Sequence, residues 1–104
     1  MAQYRGCIVR SQAGHDAQTL LCVLGQEGEH LLLADGKRRT AARPKRKKLC
    51  HVRILDETFE HPAIRKLRSG QSVTDRELRQ ALAAYRDAVE TRFQGGNHAW
   101  QKTI

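Results

Sequence analysis

His30-Leu31-Leu32-Leu33-Ala34-Asp35-Gly36-Lys37-Arg38-Arg39-Thr40-Ala41 is the stretch on which the fold turns. Its first five residues form a near-continuous apolar run, which suits a strand with both faces largely covered. Asp35-Gly36 comes next, and an Asp-Gly pair is the favoured type I′ hairpin connection because both central positions need positive φ. The pattern therefore predicts that residues 37–41 return antiparallel to residues 30–34.

Working outward, residues 4–10 read as a first strand, ended by a polar turn over residues 11–16 with Gly14 in its middle. A second strand is expected over residues 19–24, and Gly25-Gln26-Glu27-Gly28 supplies a short reversal before His30. After a loop over residues 43–48, the stretch Leu49-Cys50-His51-Val52-Arg53-Ile54-Leu55 alternates as a fifth strand, with Cys50, Val52 and Ile54 inward. Five short strands in about 55 residues imply a small barrel, since closing a sheet removes its edges. Such a barrel needs few large side chains, and aromatics are only 5% of this chain.

Beyond Leu55 the pattern changes from strands to helices. Pro62, placed at the first helical position, starts a short helix that Gly70 ends. Val73-Thr74-Asp75-Arg76-Glu77-Leu78 carries a Thr74/Glu77 capping box and a Val73/Leu78 hydrophobic staple, two reinforcing start signals. The second helix is expected to run to about Phe93, with Leu78, Ala81, Leu82, Tyr85, Ala88, Val89 and Phe93 forming one apolar stripe. That stripe must dock on the first helix, the barrel or another subunit. Gly95-Gly96-Asn97 is expected to stop the helix and leave a frayed tail containing Trp100.

The 104 residues suffice for one compact domain, or a very small one with an appendage, which disfavours most enzymes. The fold class expected is mainly β with an α appendage: a five-stranded barrel over residues 1–55, about two helices over 56–94, and a tail over 95–104. Charge follows the same division, with eleven basic and four acidic residues in 1–55 but eight and seven in 56–104. A net charge of +8 favours polyanionic partners, nucleic acid first. No apolar run approaches the roughly 18 residues that cross a bilayer, and residues 1–20 lack a signal-peptide layout. A cytoplasmic location is expected, with Cys7, Cys22 and Cys50 as free and mostly buried thiols.

Residues 37–48 concentrate the charge: Lys37, Arg38, Arg39, Arg43, Lys45, Arg46, Lys47 and Lys48 are basic and none of the other four is acidic. Like charges packed together repel, so a fold that gathers them points to an anionic ligand, although a solubilising loop has the same composition. Pro44 biases Arg43 toward an extended conformation, so the segment is expected to present a strip rather than a ball of charge.

Three ordered segments resemble the KOW-domain RNA-binding proteins: Gly6-Cys7-Ile8-Val9-Arg10-Ser11-Gln12-Ala13-Gly14-His15-Asp16, then Leu33-Ala34-Asp35-Gly36-Lys37-Arg38-Arg39, then Arg43-Pro44-Lys45-Arg46-Lys47-Lys48 with His51. The branch they look most like is the short bacterial relatives of the KOW-containing large-subunit ribosomal proteins of archaea and eukaryotes. The resemblance covers roughly residues 3–55. It implies an SH3-like barrel, a KOW turn over residues 9–16 with Gly14 as its glycine, and service on ribosomes or in transcription elongation. His15 stands where the family often has a basic residue, and Ala17 and Gln18 where it has glycine.

Together these readings give a non-enzymatic, ribosome-associated RNA-binding protein without a cofactor. Its expected RNA-binding residues are Arg10, His15, Lys37, Arg38, Arg39, Arg43, Lys45, Arg46, Lys47, Lys48 and His51, and its partners ribosomal RNA and ribosomal proteins. The alternative is a protein-interaction module that docks through the amphipathic helix of residues 75–93. His15 and Asp16 lack a nucleophile in a fitting arrangement. Cys50 and His51 with Cys22 and Cys7 have zinc-ligand chemistry, but no C-x₂-C pair is present and adjacent strand residues project to opposite faces, so Cys50 and His51 are not expected to share one metal. Tyr4 could stack on a base or pack at the barrel edge, and Trp100 could anchor a partner or fold back.

Overall fold

The computed structural model describes residues 4–12 and 19–97. Five strands, β1 (Ile8–Ser11), β2 (Leu20–Glu27), β3 (His30–Ala34), β4 (Lys45–Lys48) and β5 (Val52–Asp56), precede two helices, α1 (Pro62–Arg68) and α2 (Asp75–Asn97). They form one sheet of order β4-β3-β2-β1-β5, and every neighbouring pair is antiparallel. β4 and β5 lie at opposite edges, so the sheet is not closed; a 3₁₀ turn over Leu49–His51 carries the chain from one to the other. The expected architecture, mainly β with a helical appendage, is what the chain adopts.

Both faces of the sheet are buried, for different reasons. Ile8, Cys22 and Ala34 pack under Ile64, Leu67, Leu78 and Leu82, so the helices roof one face. The other face gathers Cys7, Val9, Leu21, Val23, Leu31, Leu33 and Val52, with Tyr4, Leu49 and Ile54 at its margin and, among the described residues, no helix upon it. Five of those residues, Val9, Leu21, Val23, Leu31 and Leu33, are fully buried, which fits a sheet that curls over its own side chains. Register shifts at Ile8/Val9 and Val23/Gly25 supply the bend, because an extra residue on one strand raises local twist.

The Asp-Gly element departs from expectation. Residues 37–41 do not return along β3; the returning strand is β4, with Leu33 opposite Lys45 and His30 opposite Lys48. Asp35 explains the delay. Its Oδ1 accepts hydrogen bonds from the backbone N–H groups of Lys37 (2.9 Å) and Arg39 (3.0 Å), while the N–H groups of Asp35 and Gly36 donate to Arg39 O at 2.9 and 3.0 Å. An aspartate that bonds its own downstream backbone builds a wider loop than a two-residue turn. Helix α2 then holds that loop: Ala41 N donates to Asp75 Oδ1 at 2.7 Å and Arg79 Nη1 to Gly36 O at 2.7 Å. The tight reversal lies instead at Gly28-Glu29, between the paired Glu27 and His30, with Gly28 at φ 59°.

Other boundaries shift for local reasons. Residues 4–6 form a turn rather than the start of β1, because Cys7 N donates back to Tyr4 O at 3.0 Å and Gly6 adopts φ 84°. β5 begins at Val52, not Leu49, since the chain must first cross between edges; the crossing turn leaves Cys50 exposed rather than inward. Cys7 and Cys22 are buried, as expected.

The helix signals hold. His61 caps α1, its Nδ1 accepting from Ala63 N at 3.1 Å, with Pro62 at the first position. At α2, Glu77 N donates to Thr74 Oγ1 (3.1 Å) and Thr74 N to Glu77 Oε1 (2.9 Å), completing the capping box. Val73 and Leu78 join the same core. The apolar stripe docks inside the chain: Leu78, Ala81, Leu82 and Tyr85 are buried against the sheet and α1, whereas Val89 is exposed. α2 continues through Gly95 and Gly96 to Asn97. Glycine costs a helix roughly 1 kcal/mol without blocking its hydrogen bonds as proline does. The polar turn over residues 13–16, with Gly14, His15 and Asp16, and the tail with Trp100 lie outside the described residues.

Candidate nucleic-acid interface

Because β3 is paired with β2 on one side, β4 must add at its other side and become the edge of the sheet. Its sequence is Lys45-Arg46-Lys47-Lys48, a strand made wholly of cations. Alternation sends Lys45 and Lys47, half-buried, to one face and Arg46 and Lys48, exposed, to the other. Side chains on one face repeat at about 6.6 Å, from a rise near 3.3 Å per residue. The strip expected after Pro44 is therefore a strand rather than a loop.

Flanking elements extend the charge. Lys37, Arg38 and Arg43 are exposed and Arg39 half-buried on the loop before β4, and His51 is exposed on the turn after it. Arg43 N donates to Thr40 O and Oγ1, both at 3.1 Å, which closes a second small turn and leads the chain into Pro44. No acidic residue occurs between Asp35 and Asp56 in the sequence, and the Asp35 carboxylate is already committed to the loop backbone. Arg46 Nε meets Glu27 Oε1 at 3.2 Å, but with side-chain exposures of 56% and 58% this pair contributes only about 0–1 kcal/mol. A polyphosphate can displace Glu27 at little cost.

A protecting role for charge on an exposed edge is familiar: one lysine in mid-strand suffices to discourage pairing with another sheet edge. Four consecutive cations, flanked by Arg43 and the Lys37-Arg38-Arg39 run, exceed that need. Mutual repulsion among them opposes folding, and an anion relieves it.

Arg10 is not part of this strip. It lies on β1, opposite Leu20 and Arg53, and faces the cleft under α2 together with Lys37. His15 lies outside the described residues. Arg79 and Arg86 line the same cleft; the sequence reading passed over them, although their seven-residue spacing beside the apolar stripe sets both on one flank of the helix.

Two of the three thiols, Cys7 and Cys22, are buried, and Cys50 is exposed. Burial pushes Cys22 up to about 12, helped by the nearby Asp35 charge, and burial likewise raises Cys7, with Glu57 adding to it. Among the described residues no group of three or more His, Cys, Asp or Glu side chains is placed to hold a metal ion, and no helix is long and apolar enough to cross a membrane.

No protein-family model matches this chain, and no curated protein matches it either.

Proposed function

We propose that this protein binds RNA, ribosomal RNA above all, through the cationic β4 edge and the loop that precedes it, without catalysing a reaction. The observation that carries this reading is a sheet edge built solely of Lys and Arg. Sheet order, the 3₁₀ turn between β4 and β5, and the curled second face suit a partly open SH3-like barrel of the KOW type. Such an edge meets a phosphate backbone by charge and shape; arginine adds bidentate contacts and lysine point charges. The competing idea, docking through the α2 stripe, loses most of its surface, since Leu82 and Tyr85 are core residues of the chain itself.

The test separates edge protection from ligand contact. Replacing Lys45, Arg46, Lys47 and Lys48 by glutamate keeps the edge charged, so the protein stays folded and free of edge-to-edge aggregation, but reverses the sign presented to phosphate. Ribosome co-sedimentation and binding to structured RNA should be lost. Retention of both by the folded glutamate variant overturns the proposal.

A further inference from the structure

Between α2 and strands β1, β2 and β5 lies a cleft of about 790 Å³, within the range of roughly 300–1,000 Å³ typical of small-ligand sites. Arg10 reaches into it from β1. Its Nε is buried and has no hydrogen-bond partner, an uncommon state for a donor on a permanently charged guanidinium, since an unmet buried donor forfeits its hydration without return. Lys37, Arg79 and Arg86 add three cations to the lining, against the carboxylates of Asp35 and Glu90. Asp35 serves the backbone of its own loop, and Arg79 serves Gly36 O. Arg10 lines the cleft, its Nε enclosed and its donor unmet.

The wall beside these charges is aliphatic: Leu20, Leu55, Leu82 and Val89. Among the described residues Val89 is the large hydrophobic side chain left exposed, at 37%. The nearby aromatic side chain offers no stacking face, because Tyr85 is only 8% exposed and its ring meets Phe59 edge to face at 5.2 Å and 85°. The geometry points to an amphiphilic anion with an aliphatic body: its carboxylate head accepts from Arg10, and its hydrocarbon chain lies on the half-buried Leu20 and Leu55 and the exposed Val89. Lys37 borders both this cleft and the loop proposed to meet RNA, but Arg10 and the aliphatic wall do not belong to the cationic edge, since β1 is separated from β4 by two strands.

Decanoate, below its micelle concentration, is the probe, with acetate as a head-only and decanol as a tail-only control; backbone amide and arginine Nε–H resonances are the readout. Saturable shifts at Arg10, Leu20, Leu55 and Val89 are expected with decanoate alone. Arg10→Gln should weaken binding at least tenfold, as expected when a charge-assisted hydrogen bond is lost. If Arg10→Gln loses its amide dispersion, the surface change Val89→Glu decides instead, and it too should weaken decanoate at least tenfold. Absence of saturable shifts, equal effects from decanol or acetate, or unchanged affinity in the folded variants overturns the inference.

Discussion

Gly36 shows how one residue links the fold to the charged surface. Its φ of 82° is left-handed, and a Cβ added there would stand 2.3 Å from Asp75 O, a backbone atom that cannot rotate away. Gly36→Ala should therefore cost about 2–3 kcal/mol, combining positive-φ strain with displacement of the α2 start; urea denaturation measures it, and a loss below about 0.5 kcal/mol would contradict this packing. The cysteines report on burial just as locally. Cys50 is exposed while Cys7 and Cys22 are buried, and Cys22, pushed up to about 12, stays a thiol near neutrality. An aromatic disulfide reagent should modify one thiol quickly in the native protein and the other two only on unfolding. Two fast thiols would mean that one sheet face is open to solvent.

At the scale of elements, the start of α2 carries a pH signature. The hydrogen bond from Lys66, and then that from Thr74 N, hold Glu77 below its ordinary value of 4.5. A carboxylate whose pKa is lower folded than unfolded stabilises the fold above the unfolded value and loses that contribution as pH falls through the folded one. Glu77→Gln should thus be less stable than the parent at pH 7, and the gap should narrow steadily below about pH 4.5; a gap independent of pH would remove the ionic part of the explanation. This element was legible in advance because its signals are local: Thr74, Glu77, Val73 and Leu78 lie within six positions of one another. The Asp35-Gly36 turn was not. Its outcome depends on Asp75 and Arg79, some forty residues downstream, which hold the loop open, and no short-range rule carries that information. The cationic segment was legible as a strip but not as a strand, since β4 owes its conformation to the free side of β3 rather than to its own composition. Cys50 was misplaced inward because alternation assumes a continuous strand, and the crossover from β4 to β5 interrupts it with a 3₁₀ turn.

For the whole molecule, the net charge of +8 makes salt act in opposite directions on folding and on the proposed binding. Self-repulsion destabilises a compact cationic chain, and raising ionic strength from about 0.01 to about 0.15 M shortens the screening length from roughly 30 to roughly 8 Å. The free protein should melt at a higher temperature in the saltier buffer. Binding responds the other way, because each phosphate contact releases condensed counterions and contributes about −0.7 to the slope of log affinity against log salt for a single strand. Four to six contacts from the β4 edge and its flanking loop give a slope of about −3 to −4, so a fourfold rise in salt should weaken RNA binding by about 60- to 250-fold. The two trends have separate origins. The thermal effect belongs to the summed charge, including Arg65, Arg68 and Arg76 on the helical side, whereas the slope belongs to the few cations that touch RNA. Neutralising Arg43 and Lys45–Lys48 should flatten the slope toward zero while leaving much of the thermal effect in place, as scanning calorimetry and filter binding across a salt series can measure. A slope unchanged by those substitutions would transfer the RNA contact to another face of the molecule.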